Sequence, residues 1–218
     1  MTAANRQRAG FSLVELLIVV SLMAVLAGAI IPHMQPDVVS QLTNLAHILV
    51  VDLGYAQNLA ITNDSRYQIT FDTSSGRYTL EHSGSNPTFD VLPPAPLGRG
   101  DDPVDQQITR LSDLPRMGTG VHILTVLEQA GISGTPTAVA DVEFTPLGAT
   151  SRTAPTAIWL TAGAATGQRY LPIEINPVTG LATTGPLTAI APDMPADTSS
   201  VDGGGTTRVN GGGTITLP

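Results

Sequence analysis

The sequence predicts an α+β fold: one long N-terminal helix, its first half transmembrane and its second half amphipathic, packed on an antiparallel β-sheet head. Three patterns carry this reading. Residues 11–31 are apolar apart from Ser12, Glu15, Ser21 and Gly28. Residues 38–56 then repeat apolar side chains at intervals of three and four, the period of a helix with one buried face. From Arg66 the period drops to two and is broken by Gly and Pro, the pattern of strands joined by turns. The chain divides accordingly into a basic N-terminal segment (1–10), a membrane helix segment (11–36), an amphipathic helix segment (37–64), a β-rich head (65–190) and a Gly-rich tail (191–218).

The apolar run is 21 residues long, and as a helix it reaches about 30 Å, one bilayer core. Ahead of it stand Arg6 and Arg8 and no acid. Basic residues beside a first apolar helix stay on the cytoplasmic side, which sends the bulk of the chain outside. Glu15 is the anomaly, because a carboxylate costs ~2–3 kcal/mol at the bilayer centre and less near an end. No Lys, Arg or His lies in the same span. The nearest partner is the amine that a cut between Gly10 and Phe11 would create. An ordinary signal peptide, with Ala27-Gly28-Ala29 as its cleavage site, calls for an apolar run of only ~7–15 residues, uninterrupted by Glu15. A plain signal anchor leaves both Glu15 and the Gly10-Phe11 junction unexplained.

Pro32 and Pro36 end the run, and a proline within a helix removes a hydrogen bond and kinks it. Beyond them Val38, Leu42, Leu45, Leu49, Leu53 and Ala56 form the buried stripe of the second helix, with Gln41, Asn44, Asp52 and Gln57 largely between them. Asp37 is the expected N-cap and Asn63-Asp64-Ser65 the stop. Tyr67, Ile69 and Phe71, then Tyr78 and Leu80, alternate on either side of Thr73-Ser74-Ser75-Gly76, a β-hairpin that Thr88–Leu92 extends. Residues 93–103 carry too much Pro and Gly for either element. A short helix is expected over Gln106–Leu114. Strands are expected at Val121–Val126, Val139–Phe144, Ala157–Leu160 and Arg169–Ile175, with reversals at Pro146-Leu147-Gly148 and Pro177-Val178-Thr179-Gly180. The tail cannot bury enough apolar area to offset its ordering entropy and reads as loosely attached, with Thr214–Leu217 as a candidate edge strand.

Composition excludes several kinds of chemistry. The chain has no Cys and hence no disulfide, thiolate nucleophile or thiolate metal site. All ten basic residues are Arg; without residues 1–10, eight face 18 acids, a formal charge of −10. Such a surface repels DNA, so no nucleic-acid partner is expected. His33, His47, His82 and His122 stand at no metal-ligand spacing, and His47 falls at the polar edge of its helix. Asp101, Asp102 and Asp105 are weak Ca²⁺ candidates, more simply read as a solvated acidic loop. Asn63-Asp64-Ser65 fits a glycosylation triplet, which a helix-ending turn already accounts for. Trp159 reads as a core residue. No cofactor site and no enzymatic constellation emerges.

Gly10-Phe11-Ser12-Leu13-Val14-Glu15, followed by the apolar run, resembles the class III signal of type IV pilins and type II secretion pseudopilins. The resemblance implies cleavage after Gly10 by a prepilin peptidase, N-methylation of Phe11 by the same enzyme, and an assembly role for Glu15, which meets the terminal amine of a neighbouring subunit. Pro32 matches the position at which the family's long helix kinks. Leu45–Ile61, the strand end Phe144-Thr145-Pro146-Leu147-Gly148 and the final Thr179-Gly180 are similar to the GspH/FimT family of minor pseudopilins and minor pilins. Leu181 departs from it, standing where an arginine is frequent. The implied protein is a non-enzymatic minor pseudopilin of a type II secretion pseudopilus tip, or else a minor pilin of a type IV pilus. It would be single-pass in the bacterial inner membrane, with its N-terminus cytoplasmic and its head periplasmic. Its partners would be other major and minor pseudopilins, met through the N-terminal helix.

Overall fold

The computed structural model describes residues 12–30, 38–94, 99, 101–115, 117, 120–129, 135–195, 208–209 and 213–214. Two helices lead. The first, α1 (Leu13–Ile30), opens with the Ser12 carbonyl accepting from Leu16 N at 3.1 Å. The second, α2, spans Val38–Thr62. Pro32, Pro36 and the expected cap Asp37 lie outside the described residues. The stop at Asn63-Asp64-Ser65 is a reversal in which Ser65 N donates to Ala60 O and Asp64 N to Ile61 O. Asp64 takes the left-handed conformation (φ 46°) usually left to glycine.

Nine strands make two antiparallel sheets, where the periodicity had suggested one. The first sheet has the order β3-β2-β1-β6, from β1 (Tyr67–Asp72), β2 (Arg77–His82), β3 (Gln106–Arg110) and β6 (Asp141–Phe144). The second has the order β5-β4-β7-β8-β9, from β4 (Val121–Glu128), β5 (Thr137–Ala138), β7 (Thr156–Ala162), β8 (Arg169–Ile175) and β9 (Ala182–Thr184). A separate two-stranded ribbon joins β10 (Arg208–Val209) to β11 (Gly213–Thr214). Residues 215–217 of the expected edge strand lie outside the described residues, as does most of the tail.

Three expectations are corrected. Gln106–Leu114 is not a helix: β3 pairs with β2 from Gln106↔Glu81 to Arg110↔Arg77, and a 3-10 turn, Leu111–Asp113, follows. Cross-strand pairing that buries Gln107, Ile108 and Thr109 outweighs local propensity there. Thr88–Leu92 does not extend the hairpin, because Asn86 caps a 3-10 turn at Pro87–Phe89. Trp159 is half-buried, not core. Its strand points Ile158, Leu160 and Ala162 into the core, and period two turns Trp159 to the opposite face with Ala157 and Thr161.

The core lies between α2 and the sheets. Leu42, Leu45, Ala46, Leu49, Leu53, Ala56 and Ala60 on α2 are essentially inaccessible, and the helix touches β1 and β6 of one sheet and β4, β7, β8 and β9 of the other. Truncating such a leucine to alanine costs ~2–5 kcal/mol. Arg152 ties the sheets together at another point. It bonds Asp141 Oδ1 on β6 at 2.7 Å and lies 3.5 Å from Glu128 Oε2 on β4.

Gln57 on α2 fixes the turns beyond β6 and β8. Its Nε2 donates to Gly148 O and to Thr179 O, both at 2.6 Å. Gly148 and Gly180 adopt φ of 80° and 65°. A methyl group on Gly180 would strike Gly148 O and stand 2.5 Å from Gln57 Nε2, whereas one on Gly76 (φ 62°) meets nothing within 4 Å. Gly76→Ala is therefore expected to cost ~1 kcal/mol through backbone strain alone, and Gly180→Ala at least twice as much. Urea titration of the full chain in detergent, followed by fluorescence of the single tryptophan, checks the ranking; equal losses would contradict it.

Candidate functional site

The feature that sets α1 apart is an apolar surface on which, among the described residues, nothing packs. Every described side chain of α1 is exposed, its large apolar residues from 48% at Val19 to 79% at Leu13. A helix apolar on all sides needs lipid or other helices around it. Its hydroxyl at Ser21 is internally satisfied, donating to Leu17 O at 2.8 Å, as an apolar medium requires. Glu15 falls in the first turn, where the unpaired amides and the positive end of the helix dipole favour a carboxylate. Among the described residues no ion pair involves it. Gly10, Phe11 and Pro32 lie outside the described residues.

By length and hydropathy alone α2 passes as a membrane-crossing helix among the described residues, while the apolar stretch of α1, Leu13–Leu26, is shorter. Packing decides otherwise, since one whole face of α2 is sealed against the two sheets. On that helix Asp52 is half-buried and its Oδ2 accepts from Tyr78 Oη at 2.6 Å. Burial raises the Asp52 carboxyl above its ordinary range against the lowering effect of that bond, and burial with the Asp52 charge raises the Tyr78 phenol.

The acidic loop residues do not act as a unit. Asp102 Oδ1 pairs with Arg110 Nη2 at 2.6 Å and its Oδ2 accepts from Arg99 N at 2.8 Å. The hydrogen bonds from Arg110, then from Arg99, hold its carboxyl below the usual range. Arg99 in turn grips Asp113 through two bonds of 2.9 Å. Asp101 is exposed. Asp105 lines a different feature, a cavity of about 370 Å³ bordered also by Glu81, His82, Ser83, Gly84 and Asp90. Among the described residues no group of three or more His, Asp or Glu is arranged to hold a metal.

One cluster at that cavity was missed in the sequence. Ser65 Oγ lies 2.6 Å from His82 Nε2, and His82 Nδ1 lies 2.6 Å from Asp90 Oδ1. The ring of His82 is buried, its side chain 1% exposed, between Tyr67 at a centroid distance of 5.1 Å and the edge of Phe89 at 5.9 Å. Asn63 Nδ2 holds the Tyr67 hydroxyl at 2.6 Å, so the amide of the glycosylation triplet is already engaged. The three residues come from the end of α2, the end of β2 and the loop after it, at spacings that form no motif. His47, by contrast, is exposed on the outer side of α2, where its spacing placed it.

Residues 5–31 match the family described as the prokaryotic N-terminal methylation motif. No curated protein matches the chain in sequence. Among solved structures it is similar to the type IV minor pilin FimU of Pseudomonas aeruginosa, at 15% identity over 66% of this chain and 88% of that one, with a TM-score of 0.41. It is also similar to the minor pseudopilin EpsH from the type 2 secretion system of Vibrio cholerae, at 11% identity over 66% of this chain and 95% of that one, TM-score 0.40. The chain therefore carries a prokaryotic N-terminal methylation motif ahead of an α+β head.

The Asp52 environment sets a pH dependence. A carboxyl whose folded pKa exceeds its unfolded value binds its proton more tightly when folded, so its ionisation lowers stability as pH rises through that folded value. Asp52→Asn is expected to raise the unfolding temperature by a few degrees at pH 7, and the gain is expected to shrink near pH 4. Thermal unfolding at both pH values checks this; a loss of stability at pH 7 would show that the Tyr78 bond outweighs desolvation.

Proposed function

We propose that this pilin-like chain is a minor pseudopilin, a structural subunit of a type II secretion pseudopilus that works in its tip or initiation complex. The observation that carries the proposal is the methylation motif at residues 5–31 coinciding with a helix that is apolar all round and bears one carboxylate in its first turn. In this reading a prepilin peptidase cuts after Gly10 and methylates the new terminus at Phe11. The anchor holds the chain in the inner membrane with its leader cytoplasmic and its head periplasmic. On assembly α1 exchanges lipid for the helices of neighbouring pseudopilins, and Glu15 meets the Phe11 amine of the adjacent subunit. That contact offsets a charge that lipid would penalise and fixes register in the same step. Pro32 lets the helix bend between anchor and head. The acidic charge balance disfavours DNA as cargo or track.

The terminal sequence and mass of the protein from native membranes test the first step. The expected start is N-methylated Phe11; a start after Ala29, or an intact Met1, would overturn the proposal. Glu15→Val is expected to remain membrane-inserted while disappearing from the sheared filament fraction, and a variant that still assembles would remove Glu15 from the mechanism. Crosslinking from α1 is expected to capture secretion pseudopilins. Capture of type IV pilus subunits instead would reassign the chain to a minor pilin.

A further inference from the structure

Beyond any part in a filament, we propose that the C-terminal segment Thr214–Leu217 docks on the open edge of β9 and adds an antiparallel strand to the second sheet. The hydrogen-bond alternation shows which groups of that edge are free. Asn176 N donates to Leu181 O at 3.0 Å and Gly185 N to Pro172 O at 2.8 Å. By the two-residue period of an antiparallel ladder Glu174↔Thr183 is bonded in the same way, whereas Ile175↔Ala182 and Ile173↔Thr184 are not. Ala182 and Thr184 therefore turn their amides and carbonyls away from β8. Among the described residues no strand lies beyond β9 and no backbone hydrogen bond engages those groups.

The edge carries few of the guards that keep strands from pairing. Residues 181–185 bear no charge, and Pro186 is the first residue to block a ladder. The other edges are bridged, charged or short: Thr150 bridges Phe144 beside β6, β3 ends on Arg110, and β5 is two residues long. A flank of α2 borders the β9 edge. The helix touches β9, and Gln57 bonds Thr179 O just ahead of that strand. At about 100° per residue Val50 and Gly54 lie within roughly 60° of Gln57 around the helix. Val50 is half-buried, and a methyl group on Gly54 would meet nothing within 4 Å among the described residues. An unpaired strand edge and an uncharged, open helix flank thus line one groove.

The length and pattern of the remaining chain name the occupant. Eighteen residues separate Pro195 from Thr214 and span ~60 Å when extended, more than the length of α2, so the segment reaches β9. Thr214-Ile215-Thr216-Leu217 alternates polar and apolar, as a strand with one buried face does. In the register Leu217↔Ala182 and Ile215↔Thr184 both apolar side chains fall on the face of Ala182, which belongs to the core beside α2. Thr214 and Thr216 face outward. β11 pairs with β10 along one edge, and its other edge is the one that meets β9. Tethering holds the segment at an effective concentration on the order of 1 mM, which favours it over the same segment of a second copy. The added strand caps the sheet and denies its edge to neighbouring chains.

The test uses the full chain in mild detergent, and because the sequence has no cysteine a two-cysteine variant gives an unambiguous disulfide. Thr183→Cys with Thr216→Cys sets the two thiols opposite each other on the outward face, and mild oxidation is expected to join them within one chain. Thr183→Cys with Ser199→Cys, closer along the chain, is expected to close at least tenfold more slowly. Equal rates for the two pairs overturn the proposal. So does a disulfide between residues 183 and 216 that forms only between two chains, which would give the edge to a second copy. Hydrogen exchange reads the same contact without cysteine. The amides of Ala182 and Thr184 are expected to exchange at least tenfold more slowly in the wild type than in a protein carrying Ile215→Asp and Leu217→Asp. The Thr183 amide, bonded to β8 in both, is expected to be unchanged and reports that the sheet is intact. Ala182 and Thr184 amides that exchange alike in both proteins overturn the proposal. None of these results bears on N-terminal processing or assembly, which are read separately.

Discussion

Everything in the head depends on one sealed surface, the face of α2 that runs from Leu42 to Ala60. Neither sheet covers it alone: β1 and β6 meet it from one sheet, and β4, β7, β8 and β9 from the other. At 25 residues the helix is about 37 Å long, enough to underlie both sheets end to end. Leucine supplies the bulk of the contact, and Ala46, Ala56 and Ala60 allow backbone to approach strand closely. With no disulfide anywhere in the chain, this burial and the strand ladders carry the stability of the head.

The ionic pattern has a consistent logic. The chain has few cations, and six of its arginines are engaged within the head. Arg66 pairs with Glu143, Arg77 with Asp72, Arg99 with Asp113, Arg110 with Asp102, and Arg152 with Glu128 and Asp141. Arg169 donates to the carbonyls of Thr166 and Gln168. Exposed pairs of this kind contribute little each to stability. Their effect is on appearance: with positive charge tied down locally, the long-range field keeps the acidic sign of the composition.

What could be read from the sequence was what short-range period encodes. The span of α2, the Asn63-Asp64-Ser65 stop, the β1–β2 hairpin around Gly76 and strands β4, β7 and β8 all sit close to where residue spacing placed them. What escaped depends on partners far along the chain. Gln106–Arg110 carries no pattern that announces a strand, and it becomes one because β2 offers an edge. Two sheets in place of one follow from β6 returning to β1 while β7 joins β4. Asp52 and Gln57 looked like solvent-facing helix residues, yet each reaches a group more than twenty residues away. The contacts among Ser65, His82 and Asp90 escaped for the same reason, since only folding brings them within hydrogen-bond distance.

The Gln57 side chain has a mechanical consequence. Its single amide nitrogen closes on two turns that belong to different sheets, at Gly148 beyond β6 and at Thr179 beyond β8. The Thr150 amide adds a third strut between those turns by donating to Pro177 O at 2.9 Å. Tension on either turn is therefore shared by the other and delivered to the backbone of α2, without peeling an edge strand from its sheet. The rim of the head at that end behaves as one rigid coupling, and the helix beneath it is the load path.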